Sequence, residues 1–229
     1  MPSPDGQHSQ HSPVVLRGLV VDWGGVLTSD LDAALSAWAE ADDIDFSHYQ
    51  DVMRTLLGPA GSAEARLNPV HALERGEIEV PDFERRMAAE LTTRSGLPVP
   101  YDGLLTRMFD CFEHAPDMVG LVRRAHAAGL RTALVSNSWG NDYPRDGWAE
   151  MFDVVVISGE VGMRKPEPEI FAHTLDLLGL SAPECVFVDD LARNVRAAVA
   201  LGFVGVHHTS YASTAAELTA LFAPVDLER

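Results

Sequence analysis

Apolar and polar positions follow two different rhythms along this chain, and the change comes near Glu113. The first apolar run, residues 14–22, has strand composition and stops abruptly at Asp22, with Gly24 and Gly25 just beyond. That pattern predicts a buried strand delivering one carboxylate to a tight loop at its carboxyl end. From there to Glu113 the spacing is helical. Ser29 or Asp30 caps a helix with Leu31, Leu35 and Trp38 on one face, and Ser47 caps another with Tyr49, Val52, Met53, Leu56 and Leu57, closed by Gly58-Pro59. Pro69 opens a short helix ending at Gly76, Pro81 opens one with Phe83, Met87 and Leu91, and Leu104, Met108, Phe109 and Phe112 mark a last one.

Beyond Glu113 helices alternate with strands. The pattern predicts a helix over 117–128, a strand over 131–135 running into Ser136-Asn137, and a third strand over 152–157. A helix over Pro168–Leu178, a strand over 185–188 running into Asp189-Asp190, a helix over 192–201, a strand over Val204–His207 and a helix over 214–222 follow. Strands separated by helices imply parallel pairing with right-handed crossovers. The fold class is therefore α/β, a doubly wound parallel sheet, with a helical bundle inserted after the first strand. The expected division is a disordered tail over 1–13, a core over 14–30 and 114–229, and a helical cap over 31–113. His8 and His11 belong to the tail as solvated side chains.

Composition narrows the picture without changing it. A chain of 229 residues that is 46% hydrophobic has enough apolar material for a core of its own. No apolar run reaches the roughly 18 residues that span a bilayer, and the start lacks the basic and apolar segments of a secretion signal, so a soluble cytoplasmic protein is expected. A formal charge of −17 disfavours nucleic acid and anionic membranes as partners. Cys111 and Cys185 have no ligand-like spacing and read as packed, reduced thiols. Lys165 is the sole lysine in a chain whose other basic side chains are all arginine. A compact ammonium on a flexible stem is thus kept at one place only.

The polar residues that interrupt apolar runs fall at strand ends: Asp22, Ser136-Asn137 and Asp189-Asp190, with Lys165 in the loop after the third strand. In doubly wound sheets these ends face one crevice. Taken singly, Asp22 or Ser136-Asn137 would read as a turn and Lys165 as a surface residue; it is their common placement that points to chemistry.

In order, Asp22-Trp23-Gly24-Gly25-Val26-Leu27, Val135-Ser136-Asn137, Lys165-Pro166, and Phe187-Val188-Asp189-Asp190 with Asn194 resemble the four motifs of the haloacid dehalogenase superfamily of aspartate-nucleophile hydrolases. The flanking pattern extends over 16–207, and Ser136-Asn137-Ser138-Trp139 and 162–168 are similar to the subgroup of epoxide hydrolase amino-terminal phosphatase domains and bacterial sugar phosphatases. The resemblance implies a Rossmann-like core with a cap, Asp22 as nucleophile, and Lys165 holding Asp22 and the phosphoryl oxygens. Ser136 and the Asn137 amide would hold phosphate, and Asn194 would act in support. Mg²⁺ would be held by Asp22, the Gly24 carbonyl and Asp190, with Asp189 behind or as an alternate ligand. The implied partner is a small phosphorylated metabolite.

One position departs from the family's phosphatases, which carry a second aspartate two residues after the nucleophile. Here it is Gly24, so leaving groups of low pKa, such as aryl, acyl or anomeric sugar phosphates, are expected to react best. The alternatives are a metal-independent dehalogenase, against which two further acids beside Asp22 argue, and a catalytically silent binding relative. Arg54, Arg66, His71 and Trp139 are candidates for the cleft, though each reads more simply as a surface pair or a packed side chain. His207-His208 reads as structural.

Overall fold

The computed structural model describes residues 14–57, 68–140, 142–223, 225 and 227. The expected tail with His8 and His11, the Gly58-Pro59 stop and Arg66 lie outside them. Five strands, β1 (Gly18–Val21), β2 (Arg131–Ser136), β3 (Val154–Ile157), β4 (Cys185–Asp189) and β5 (Val204–His207), form one parallel sheet in the order β3-β2-β1-β4-β5.

Five helices lie between β1 and the rest of the sheet: α1 (Leu31–Ala41), α2 (Phe46–Leu57), α3 (Pro69–Glu74), α4 (Val80–Glu90) and α5 (Leu104–Phe109). They close around their own apolar cluster, which includes Trp38, Tyr49, Phe83, Met87, Leu104 and Met108. The core helices are α6 (Pro116–Ala127), α7 (Ser158–Val161), α8 (Pro168–Leu178), α9 (Ala192–Ala200) and α10 (Tyr211–Leu221). Successive strand residues point to opposite faces. Leu19 and Val21 therefore join Met118, Leu121 and Leu218 on the α6/α10 side, and Val20 joins Ile170, Phe171 and Ala198 on the α8/α9 side. Burial on both faces is why these strands read as unbroken apolar runs.

Several boundaries differ from the sequence expectation, each for a local reason. β1 begins at Gly18: Val14 and Val15 are 60% and 67% exposed, and none of the described strands pairs them. Of the two expected cap candidates, Asp30 caps α1, its Oδ1 accepting from the Ala33 amide at 3.1 Å. Ser29 instead ties the two crossings of the insertion together, its amide donating to the Glu113 carbonyl at 2.6 Å. Asp45 caps α2 in place of Ser47, since its carboxylate accepts from the Ser47 and His48 amides and from the Ser47 hydroxyl. Ser210 caps α10, which starts before Thr214. The short α7 and the 3₁₀ turns Trp148–Glu150 and Ala182–Glu184 have too few residues to show a period. No described helix is long and apolar enough to cross a membrane.

Candidate active site

Strand register brings the acids together. Val21 pairs with Val188, and the Asp22 amide donates to the Val188 carbonyl at 2.9 Å, so the next step along both strands sets Asp22 beside Asp189. On the other side Val21 pairs with Leu134, which puts the end of β2 and Ser136 at the same edge. This is where β1 lies between β2 and β4 and the winding direction reverses, the place such sheets bind ligands. The two glycines after Asp22 serve different ends. Gly25 has φ +70°, and a Cβ there would stand 2.6 Å from Asp190 Oδ2, so only glycine lets that carboxylate approach the loop. Gly24 is under no such constraint: the nearest atom to an added Cβ is Leu31 Cδ2 at 3.7 Å.

Lys165 is fully buried at the centre of the group. Its Nζ lies 2.7 Å from Asp22 Oδ1 and 2.7 Å from Asp189 Oδ2. Asn137 holds the lysine backbone from both sides, its Oδ1 accepting from the Lys165 amide at 2.8 Å and its Nδ2 donating to the Lys165 carbonyl at 3.0 Å. Burial pulls the Lys165 pKa down, but the carboxylates of Asp189 and Asp22 outweigh it and hold the ammonium charged. Asp22 Oδ1 also accepts from the Trp23 amide at 2.6 Å, and Oδ2 has no hydrogen-bond partner among the described residues.

Asp189 and Asp190 are adjacent but differently employed. Asp189 is saturated: Asn194 Nδ2 donates to both its oxygens at 3.0 Å, the Leu191 amide to Oδ1 at 2.8 Å, and Lys165 to Oδ2. Asp190 Oδ1 and Asn194 Oδ1 are buried without a partner among the described residues. Burial, helped by the charge of Asp189, pushes the Asp190 pKa up to about 6, against the pull of Lys165. Burial likewise pushes the Asp22 carboxyl well above its usual range, with Lys165 opposing and Asp189 and Asp190 adding to the rise. One oxygen from each of Asp22, Asp189 and Asp190 lies within 4.8 Å of the others. With Lys165 as the ammonium among them, the trio is short of positive charge. Hard carboxylate oxygens with one orphaned acceptor are a donor set that fits a divalent, oxygen-seeking cation such as Mg²⁺.

A cavity of about 270 Å³ opens over these residues. Of the residues expected at the site, Asp22, Gly24, Ser136, Asn137, Lys165, Asp190 and Asn194 line it. Asp189 lies behind them, fully buried. Ser136 Oγ and Tyr143 Oη share a hydrogen bond of 2.8 Å, which orients the serine; Tyr143 has no signal in the sequence, since nothing there marks a tyrosine seven residues on as its partner. Of the cleft candidates, Trp139 reaches the cavity, while Arg54 is an exposed partner of Asp51. His71 is not among the lining residues. His207 Nε2 bonds the Asp190 carbonyl at 2.8 Å and His208 Nδ1 the Thr214 hydroxyl at 2.8 Å, both structural contacts. Glu74, unmarked in the sequence, is buried at the end of α3. It is ion-paired with Arg164 and accepts from Trp139 Nε1 at 3.2 Å, which ties the insertion to the residue beside Lys165.

The family model for haloacid dehalogenase-like hydrolases matches residues 16–202. Among curated proteins, a sesquiterpene phosphatase of Aspergillus oryzae is 32% identical over 154 residues, 65% of this chain and 76% of that protein. Bifunctional epoxide hydrolase 2 of Mus musculus is 39% identical over 94 residues, 37% of this chain and 17% of that much longer protein. Among solved structures, a haloacid dehalogenase family enzyme of Bacteroides thetaiotaomicron, determined with magnesium and inorganic phosphate, superposes with a TM-score of 0.61 at 20% identity, over 84% of this chain and 93% of its own. A predicted hydrolase of the same family from Porphyromonas gingivalis gives 0.62 at 19% identity, over 90% and 98%. At such identities the structural likeness concerns the fold.

Proposed function

The chain belongs to the haloacid dehalogenase-like hydrolases, and from that membership we propose that it is a Mg²⁺-dependent phosphatase acting on a small phosphate monoester through an aspartyl-phosphate on Asp22. The observation that carries this reading is the arrangement of Asp22, with Oδ1 fixed by Lys165 and the Trp23 amide and Oδ2 left unbonded at the cavity. The curated relatives support the phosphoryl class, one of them being named a phosphatase.

In this reading Asp22 Oδ2 attacks phosphorus, the ester oxygen leaves with the bonding pair, and an acyl phosphate forms on Asp22. Water then adds to that phosphorus, phosphate departs, and the carboxylate is regenerated. Lys165 keeps Asp22 oriented and balances charge on the phosphoryl oxygens in both steps. The Ser136 hydroxyl, set by Tyr143, and the Asn137 backbone amide bind a nonbridging oxygen. Asn194 holds Asp189, and Asp189 in turn holds Lys165. Asp22, the Gly24 carbonyl and Asp190 hold the cation, which supplies positive charge against the phosphoryl group when bound. Asp190 is the direct carboxylate ligand in this assignment because its Oδ1 is unpaired while Asp189 is saturated. The helices of 31–113 act as a cap domain excluding water, over a core formed by 14–30 and 114–229.

Gly24 offers no proton to the leaving oxygen, so the departing group must be stable as an anion or take its proton from water. General acid help is worth about 10² to 10⁴ in rate. Aryl and acyl phosphates are therefore expected to outrun simple alkyl phosphates. A metal-free dehalogenase would gain nothing from Asp190, whose buried and unpaired carboxylate only weakens an attacking anion nearby.

Phosphate release should be measured from acetyl, phenyl and hexyl phosphates, with Mg²⁺ and with a chelator, in the parent protein and in Asp22→Asn. Release that needs Mg²⁺ and disappears in the variant is the expected result. Release that persists in the chelator, or in Asp22→Asn, would overturn the assignment.

A further inference from the structure

The cavity has two unlike sides. Its floor carries the charged groups at the strand ends. The insertion contributes Leu31 and Leu35 of α1, Leu57 of α2, Met108 and Phe109 of α5, and Phe112 to the lining. Leu35, Leu57, Phe109 and Phe112 pack against the insertion's own cluster yet stay partly exposed. Trp23 and Trp139 extend the apolar lining from the core side. The insertion turns two polar side chains of its described residues toward the cavity, Glu74 and Tyr49. The Glu74 carboxylate is already taken by Arg164 and Trp139. Tyr49 adds one hydroxyl on a ring packed edge-on to Trp38 at 5.2 Å. His114, Asp142 and Arg193 also line the cavity, as solvent-exposed residues of the core side.

A sugar presents a hydroxyl on nearly every carbon, and each must exchange water for a partner or be left unpaired on burial. Side chains of leucine and phenylalanine provide none. A hydrocarbon or aromatic group loses only unfavourable hydration against them.

Resting on the phosphatase reading, we propose that the substrate is a monophosphate ester whose alcohol part is hydrocarbon-like, aromatic or alicyclic, with few or no hydroxyl groups, seated on the wall formed by α1, α5 and Phe112. Phosphorylated sugars are the compounds this wall selects against. The division of labour is simple: the floor binds the phosphate that all candidates share, and the wall distinguishes them by polarity.

The test is a pair of compounds with one skeleton, cyclohexylmethyl phosphate and glucose 6-phosphate, both a six-membered ring joined through CH₂–O to phosphate. Each is measured as a substrate and, because alkyl phosphates are expected to turn over slowly without an acid at position 24, as a competitive inhibitor of acetyl phosphate hydrolysis. The expected result is a preference for the cyclohexyl compound of about 100-fold or more in kcat/KM or in inhibition constant. A second measurement repeats the pair in Phe112→Gln, where the ratio of the two should fall by roughly 10-fold, the scale of a single altered contact in an apolar pocket. The ratio is independent of how much folded protein is present. Equal use of the two compounds, or a preference for the sugar, would overturn the proposal while leaving the phosphatase reading intact, and a ratio unchanged in Phe112→Gln would remove selectivity from this wall. Failure to hydrolyse acetyl phosphate at all would instead strike the phosphatase reading.

Discussion

The floor and the roof of the cavity are built on opposite principles. On the floor every buried polar atom but a few has an assigned partner: Lys165 is shared between Asp22 and Asp189, Asn194 spans both oxygens of Asp189, and Asn137 grips the Lys165 backbone. The apolar wall of the insertion is made of leucine and phenylalanine side chains set by packing, while polar contacts such as Glu74 with Arg164 anchor the insertion at its edge. Directional bonds fix atoms to within a few tenths of an ångström, which bond-making at phosphorus requires, whereas dispersion and hydration tolerate substitution and repacking. A single protein can therefore keep its chemistry while its selectivity drifts.

The sharpest way to break this contrast is at Asp22. Asp22→Asn is expected to lower phosphate release by about 10⁴-fold or more while leaving the melting temperature level or higher, because a buried acid short of positive charge is removed. Release assays beside a thermal melt check both halves. Next comes Lys165→Met, which leaves Asp22 and Asp189 facing each other without their ammonium. A loss of about 3–5 kcal/mol in denaturant unfolding is expected, since removing one partner strands the other charges. An equivalent truncation in the roof, Leu35→Ala, should cost less, about 2 kcal/mol, the site being partly open to solvent.

Gly24→Asp sharpens the comparison from the other side. Position 24 is outside the left-handed region and has room for a Cβ, so the variant's backbone should be unstrained. Turnover of hexyl phosphate should rise by up to roughly 10²-fold, with little change for acetyl phosphate, whose leaving group needs no proton. Unchanged hexyl phosphate turnover would show that a missing acid is not what limits the reaction.

The smallest effect concerns pH. Asp190 has its pKa raised to about 6 in the folded protein, above its ordinary carboxylate value. Its stabilising contribution is therefore complete below that ordinary value and is lost as pH climbs through about 6, where a proton must leave a buried carboxyl. In the proposed assignment, Mg²⁺ binding would oppose that loss. Added Mg²⁺ should raise the melting temperature by a few degrees at pH 7.5 and by less at pH 5, as read by differential scanning fluorimetry. Equal shifts at both pH values would place the cation elsewhere.

How much of this was readable in advance divides along the same line. The floor was legible because polar residues that end apolar runs are rare enough to stand out, and a parallel α/β order carries all strand ends to one edge. The sequence marked Asp189-Asp190 as a pair, but their separate employment depends on which carboxylate meets Lys165 and Asn194, a matter of side-chain direction at a strand end. The roof was legible as helices and not as a surface. Leu35 and Trp38 share one apolar stripe, yet Trp38 is wholly buried and Leu35 faces the cavity, and a helical period does not separate the two. Ser136 with Tyr143 and Glu74 with Arg164 went unseen because such partners are chosen by the folded shape.

The link from Glu74 to Arg164 has a consequence for anyone who would treat the insertion as an interchangeable module. It is the point at which a helix of the insertion grips the residue next to Lys165, and Arg75 adds a second pair to Glu167 at 3.0 Å on the other flank. A chimera that grafts a foreign insertion onto this core without an acid at position 74 would strand a buried guanidinium one peptide away from the lysine beside Asp22. The walls of the insertion are open to exchange, whereas α3 has to travel with the core.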